Sequence, residues 1–363
     1  MDLILMLQNM VKSSASDLHI RAGAPPLLRI DGVLKPVEHP AVTRQETDEI
    51  FNALLTDIQK ERFCREFSLD MSYVIENFRR FRVNVFQQRG SVAFAFRNIS
   101  SDVPSIESLG LPQVLKTLCD KPYGLVLVAG PTGCGKSTTL AAMINYINQT
   151  ATKHIITIED PIEFSFKDNL SFITQREVGL DTPTFEGALK DALRQDPDAI
   201  LLGEMRSIDT MSITLSATET GHLVFSTIHA NSAYDAIARV VDVFPAEMRH
   251  QIRIQLSNAL LGIISQRLLP CRDEKGRIAA VDILIASHRI KELIVKNQLR
   301  EIREEMEKTV SLYGMQSLEQ SLIALIANKM ITREDALMVT LLPEELKLTM
   351  DQLGITASGE LRQ

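Results

Sequence analysis

A chain of 363 residues with 45% hydrophobic and 23% charged content has the length for two domains and can bury its own core without metal or disulfide staples. Its formal net charge of −7 speaks against bulk electrostatic attraction to nucleic acid or anionic lipid. Cys64, Cys119, Cys134 and Cys271 form no C-x-x-C pair, so neither a zinc site nor a disulfide framework is expected, and reduced thiols suit the cytosol. No apolar run nears the roughly eighteen residues of a spanning helix. The opening Met1-Asp2-Leu3-Ile4-Leu5-Met6-Leu7-Gln8 lacks the basic start and cleavage site of a signal peptide.

Residues 2–12 set Leu3, Ile4, Met6, Leu7, Met10 and Val11 on one helical stripe, which Ser13 to Ser16 break. Asp17-Leu18-His19-Ile20-Arg21 then alternates as a strand does, and Leu27 to Leu34 reads as a hairpin turning at Asp31-Gly32. A helix is predicted from Thr43, an N-cap with Glu46 at the capping-box spacing. Strands rich in Phe and Arg follow at 70–75, 80–86 and 91–97, spaced as in an antiparallel sheet. Together these make an α+β unit of about a hundred residues, and the Ser/Pro/Gly-rich stretch Asn98 to Pro112 reads as a linker. From Gln113 short apolar runs at 125–129, 155–158, 199–202 and 223–227 alternate with helical stretches. Runs apolar on both faces belong to a covered parallel sheet. Beyond Ser287 the chain turns helical with charged faces, and the last dozen residues look frayed.

The strongest signal is Gly130-Pro131-Thr132-Gly133-Cys134-Gly135-Lys136-Ser137, a full G-x-x-x-x-G-K-[ST] match between a buried strand and a helix running from Lys136 to about Asn148. In such a loop the backbone N–H groups wrap phosphates, and the helix N-terminus adds partial positive charge. Lys136 would bridge the β- and γ-phosphates, and the Ser137 hydroxyl would bind Mg²⁺. Cys134 contributes mainly its backbone N–H.

Two acidic clusters end buried strands. Ile158-Glu159-Asp160-Pro161-Ile162-Glu163 puts carboxylates at the rim where open parallel sheets bind ligands. Ala199-Ile200-Leu201-Leu202-Gly203-Glu204 has the Walker B layout with Glu in place of Asp. One carboxylate there can hold Mg²⁺ through its waters, and another can deprotonate the attacking water. Acids at strand ends are more often caps or solvated turn residues, and only the phosphate loop raises these above that. Glu163 is the preferred base and Glu204 the preferred metal residue; whether Glu159 or Asp160 contributes stays open. His222 and His229 bracket the run 223–228. An odd separation turns them to opposite faces of a regular strand, which argues against a shared metal. His229 follows the strand at its carboxyl end, which suits a phosphate sensor or a coupling residue between subunits.

These elements resemble the secretion/type IV pilus ATPase superfamily, and closely its PilT/PilU-type retraction ATPases. The resemblance rests on GPTGCGKSTTLAAMINYIN, TIEDPIEF, QREVG, ALRQDPDAILLGEMR, TETGHLVFSTIHA and RVVDVFP, and on SASDLHIRAGAPPLLRIDG and RFRVNVFQQRGSVAFAFR in the first domain. It covers roughly residues 1–285 and extends weakly through Gly314-Met315-Gln316-Ser317-Leu318. It implies an α/β fold with a PAS-like α+β domain (1–98), a linker (99–112), a RecA-like ATPase core (113–286) and a C-terminal helical bundle (287–363). It further implies homo-hexameric rings, ATP and Mg²⁺ as ligands, and a cytoplasmic position at the inner-membrane face of the pilus machine. The Walker A motif falls on Gly130, Pro131, Thr132, Gly133, Cys134, Gly135, Lys136, Ser137 and Thr138. The Asp box falls on Glu159–Glu163, Walker B on Glu204 and the His box on His222 and His229. Arginines sent from the first domain into an ATP site match Arg82 and Arg97, with Arg89 weaker. Without the resemblance, Arg82 and Arg97 read equally well as a solvated strand face.

Cys134 stands where the family usually has Ser. The family's AIRNLIRE-like helix is not matched by His288-Arg289-Ile290-Lys291-Glu292-Leu293-Ile294-Val295-Lys296, and the STIHA box and longer tail look more like PilU. The expectation is therefore an ATP-driven retraction subunit of twitching motility, of the accessory PilU type, acting through an inner-membrane platform protein. The alternatives are a weakly hydrolysing ring component that assists a paralogous retraction ATPase, or a nucleic-acid translocase. Acidic balance and the lack of a basic, aromatic-studded groove weigh against the last, so no nucleic-acid partner is expected.

Overall fold

The computed structural model describes residues 2–30, 32–75, 78–99, 102–273 and 276–355. Asp31 of the expected turn, Ser100 and Ser101 of the expected linker, and residues 356–363 of the tail lie outside the described residues. The chain divides into two compact units: Met1–Asp102 with Asp160–Phe166 and Gly179–Asp181, and Val103–Glu159 with Lys167–Val178 and Thr182–Gln363. No described helix is long and apolar enough to cross a membrane.

The first unit runs α1 (Leu3–Lys12), β1 (Asp17–Arg21), β2 (Leu27–Ile30), β3 (Val33–Pro36), α2 (Arg44–Leu54), α3 (Asp57–Glu66), β4 (Ser68–Ile75), β5 (Arg79–Gln88) and β6 (Ser91–Asn98). Its strands form one sheet in the order β3-β2-β1-β6-β5-β4, antiparallel throughout. Thr43 caps α2 in a complete capping box with Glu46, as the spacing predicts. A second box, Thr56 with Gln59, starts α3 directly afterwards and cuts one helical stretch into two. Along β5, Phe81, Val83 and Val85 are fully buried, and Leu7, Leu18, Ile50, Phe63, Phe94 and Phe96 pack into the same core. Strand alternation therefore turns Arg80, Arg82 and Asn84 to the opposite face.

The second unit continues with α4 (Val114–Cys119), β7 (Gly124–Ala129), α5 (Lys136–Thr150), β8 (His154–Glu159), β9 (Phe172–Glu177), α6 (Phe185–Ala192), β10 (Ala199–Leu202), α7 (Ile208–Glu219), β11 (Leu223–Ile228), α8 (Ala233–Asp242) and α9 (Arg249–Ala259). Then come β12 (Leu260–Pro270), β13 (Arg277–Ile285), α10 (His288–Val295), α11 (Leu299–Lys308), α12 (Val310–Tyr313), α13 (Leu318–Ala327), α14 (Arg333–Val339) and α15 (Pro343–Gln352). The sheet order is β13-β12-β7-β11-β10-β8-β9, parallel except for β13. Every residue of β7, β10 and β11 is buried, which is why these strands read as unbroken apolar runs rather than alternating ones.

The helices after β13 divide their allegiance. Ile290, Leu293 and Ile294 of α10 and Ile302 and Met306 of α11 join the main core. Leu318, Leu322, Ile326, Leu346 and Met350 instead close a smaller core over Leu269 and Ala280 of β12 and β13.

One buried charge makes this region sensitive to pH. Asp282 of β13 is 7% exposed, and its carboxylate accepts from the Ala233 N–H at 2.9 Å. Burial pushes its pKa up to about 7, with Glu319 adding to the rise and the Ala233 N–H opposing it. A folded pKa above the unfolded value contributes stability that is complete below about pH 4 and lost as pH rises through 7. Asp282→Asn should therefore raise Tm by several degrees at pH 8 and hardly change it at pH 4.5, which thermal melts at the two pH values check.

Candidate active site

Strands β7, β11, β10 and β8 lie side by side and parallel, with Ala129 opposite Ile228, Ser226 opposite Leu202 and Leu202 opposite Ile158. Their carboxyl ends thus share one edge, where ligands of open α/β sheets bind. The phosphate loop leaves β7 there, His229 leaves β11, and Glu204 follows β10.

Gly130, Gly133 and Gly135 all take positive φ, at 145°, 78° and 90°, a region that side chains bearing Cβ rarely enter. At Gly130 space is limiting as well. A Cβ there would lie 2.4 Å from Cys134 Sγ and 2.7 Å from the Gln266 carbonyl oxygen. Gly135 is the N-cap of α5 and offers no side-chain hydrogen bond, and the N-terminus of a helix attracts anions through its backbone N–H groups and its dipole. The Lys136 ammonium donates to the Gly130 and Pro131 carbonyls, each at 2.9 Å, which points it into the loop. Burial raises the pKa of the Cys134 thiol, against the pull of Lys136, so the sulfur is a packing atom and not a nucleophile.

Glu204 is ion-paired with Arg206, and its other oxygen lies 3.7 Å from His229 Nε2. Burial lowers the pKa of His229, and the Lys136 charge lowers it further, against the pull of Glu204. Both influences favour the neutral imidazole, which offers one ring N–H donor and one ring-nitrogen acceptor. Lys136, Glu204 and His229, far apart in sequence, share one electrostatic environment.

The remaining candidates fall elsewhere. His222 precedes β11, so about 20 Å of strand separates it from His229. Its Nδ1 is satisfied by the Ala217 carbonyl at 3.0 Å and by Thr220; the structure does not bring it to the cluster. Glu159 is buried, and its carboxylate accepts from Thr157 at 2.6 Å and Gln175 at 3.2 Å, as an internal tie between β8 and β9. Glu163 is exposed and lies on Asp160–Phe166, the segment that groups with the first unit. In that unit Arg82 of β5 and Arg97 of β6 are cross-strand partners on one face. Arg97 donates to Asp17 at 2.9 Å and Arg82 lies 3.8 Å from Asp70. Arg89 sits at positive φ in the β5–β6 turn.

Ser137 in the first turn of α5 and Glu204 supply hard oxygen donors of the kind Mg²⁺ takes. Among the described residues no group of three or more His, Cys, Asp or Glu side chains could hold a metal. A Mg²⁺ ion would thus be held by one or two protein oxygens together with substrate phosphates, its usual manner.

The sequence model of the type II/IV secretion system proteins matches residues 2–336. The chain belongs to that family. Within it the chain is a PilT/PilU-type ATPase. The type IV pilus retraction ATPase PilT of Pseudomonas aeruginosa is 43% identical over 344 residues, 95% of this chain and 99% of PilT. The type IV pilus ATPase PilU of the same organism is 40% identical over 355 residues, 98% and 92% of the two chains. These identities leave the two paralogues unseparated. The crystal structure of the pilus retraction motor PilT with bound ADP superposes with a TM-score of 0.89 at 44% identity, covering 96% of this chain and 99% of that one.

Gln266 of β12, which no motif marks, touches the phosphate loop from a neighbouring strand. Its carboxamide donates to the Cys134 carbonyl and accepts from the Thr139 hydroxyl. The available signal was a Ser-Gln-Arg triplet, residues 265–267, inside the apolar run 260–269.

Proposed function

We propose that the chain is an ATP-hydrolysing motor subunit for type IV pilus retraction in twitching motility. The observation that carries this reading is the convergence of Lys136, Glu204 and His229 at the carboxyl edge of one parallel sheet, on a chain that covers 99% of PilT. In this reading Gly130–Thr138 cradle the phosphates of ATP. Lys136 exchanges its two loop carbonyls for phosphate oxygens, which are stronger, charge-assisted partners. When bound, Mg²⁺ neutralises charge on the β- and γ-phosphates, and Ser137 and Glu204 are the residues that would hold it. His229 is proposed as the sensor of the terminal phosphate or as a coupling residue between subunits, and its approach to Glu204 supports that role. Glu163 is the base proposed to take the proton of the attacking water. His222, at the far end of β11, is left out of this reading.

Residues 1–98 are proposed as a PAS-like domain, 113–286 as a RecA-like core and 287–363 as a helical bundle, with six chains in a ring. Arg82 and Arg97 then reach a neighbouring chain's nucleotide, where a trans arginine stabilises the charge that develops on the transferred phosphoryl. Making hydrolysis depend on ring geometry couples chemistry to domain rotation. The ring would sit in the cytoplasm against an inner-membrane platform protein. An accessory, PilU-like role beside a paralogous ATPase is favoured by α10, whose sequence departs from the AIRNLIRE-like helix.

Retraction force measured in cells with this chain as the sole retraction ATPase tests the reading. Wild type is expected to retract pili against load, or to do so only beside a paralogous ATPase if its role is accessory. Glu163→Gln should bind ATP but stall in both settings. Retraction by Glu163→Gln at wild-type speed would overturn the assignment of the base.

A further inference from the structure

Resting on the nucleotide reading above, we propose that Gln266 of β12 is the positioning residue that sets the shape of the phosphate loop. Its side chain is 1% exposed in a strand otherwise dominated by apolar residues. Burying a carboxamide is unfavourable unless its polar atoms are used. Here they are used on the loop and on the first turn of the helix that leaves it. Nε2 donates to the Cys134 carbonyl, in the middle of the loop. Oε1 accepts from the Thr139 hydroxyl at 2.9 Å, in the first turn of α5. The orientation of the amide is fixed, because a carbonyl can only accept, so the nitrogen must face Cys134.

The contact extends beyond these two bonds. The backbone carbonyl of Gln266 closes the space beside Gly130, and its Nε2 lies 3.0 Å from where a Cβ at Gly135 would stand. One residue thus abuts the loop near its start, its middle and its end, whereas Pro131, Thr132 and Gly133 are exposed. Strand alternation gives the next residue the other face. Arg267 donates to the Asn231 carbonyl at 3.0 Å and to its Oδ1 at 3.2 Å, two residues beyond His229. Neighbouring positions of β12 therefore hold the phosphate loop and the His229 loop, and Gln266 carries the first of these ties. Leu in its place would keep the volume and lose both bonds. Glu would keep the acceptor for Thr139 and set an oxygen against the Cys134 carbonyl.

The test compares full-length wild type, Gln266→Leu, Gln266→Glu and Thr139→Val by ADP titration calorimetry, ATP kinetics and thermal melts with and without ADP. Both Gln266 variants should bind ADP about tenfold more weakly, and Thr139→Val about threefold, as the loss of one or two hydrogen bonds predicts. The ADP-induced rise in Tm should shrink while the nucleotide-free Tm stays within a few degrees. Adding Thr139→Val to Gln266→Leu should cost nothing further, because the partner is already gone. Gln266 variants that bind ADP within twofold of wild type, or that lose only nucleotide-free Tm, would overturn the proposal. If Gln266→Leu does not fold, Gln266→Glu and Thr139→Val decide by the same criterion. Wild type that fails to bind ADP would instead remove the nucleotide reading itself.

Discussion

Lys136→Ala is expected to lower ATP turnover by about a thousandfold or more and to weaken ADP binding. The ammonium already points into the loop, where two carbonyls hold it at 2.9 Å. A preorganised donor aimed at developing phosphoryl charge is worth about 10²–10³ in kcat when removed alone, and Lys136 also contributes ground-state affinity. A second readout separates this from misfolding. Because burial and the Lys136 charge together lower the pKa of His229, deleting the charge should move it back toward the ordinary imidazole value. The pKa of His229 is depressed in the folded chain, so its contribution to stability is present above the usual His range and lost as pH falls. Lys136→Ala should therefore titrate His229 at a higher pH than wild type, which the imidazole NMR signals would register. An unchanged titration would mean that the two groups do not share a site.

The second large effect is expected at the first unit's arginines. The double change Arg82→Ala, Arg97→Ala should lower kcat by about a thousandfold, the scale of an arginine that meets the transferred phosphoryl. ADP affinity should stay within about threefold, because that contact is made mainly in the transition state. Stability should fall modestly and not in proportion to kcat: the Arg82–Asp70 pair is exposed and contributes little, whereas Arg97 donates to the buried Asp17 carboxylate, which keeps a bond from Ser16. A variant that hydrolyses ATP at the wild-type rate would return both arginines to the status of a solvated strand face.

Much of this architecture could be read from local signals. The Thr43 capping box, the antiparallel strands and the four buried parallel strands each follow from a pattern a few residues long. The facing of Arg82 and Arg97 follows from the alternation Phe81, Val83, Val85 along β5. What escaped detection depends on partners distant in the chain. Strand β9 carries a mixed burial pattern at the sheet edge, and its polar residues hide the periodicity. Strand β12 leaves α9 without a turn, Leu260 following Ala259 directly, so no breaker separates helix from strand. Gln266 is invisible for the same reason: its partners Cys134 and Thr139 lie more than a hundred residues away. That His222 and His229 stand at opposite ends of β11 was legible from the run between them, whereas the approach of His229 to Glu204 is visible only in three dimensions. The roles of Glu159 and Glu163 also separate only in three dimensions, one carboxylate spent inside the sheet and the other exposed on a segment of the first unit.

Co-expression of Lys136→Ala chains with Arg82→Ala, Arg97→Ala chains, each inactive alone, measures most directly whether a second subunit completes the site. In randomly mixed rings an intact loop meets intact neighbouring arginines at about a quarter of the positions. Turnover in the mixed assembly should recover to about that share of wild type. A mixture as inactive as its two components would contradict the account, since loop and arginines would then have to come from the same chain.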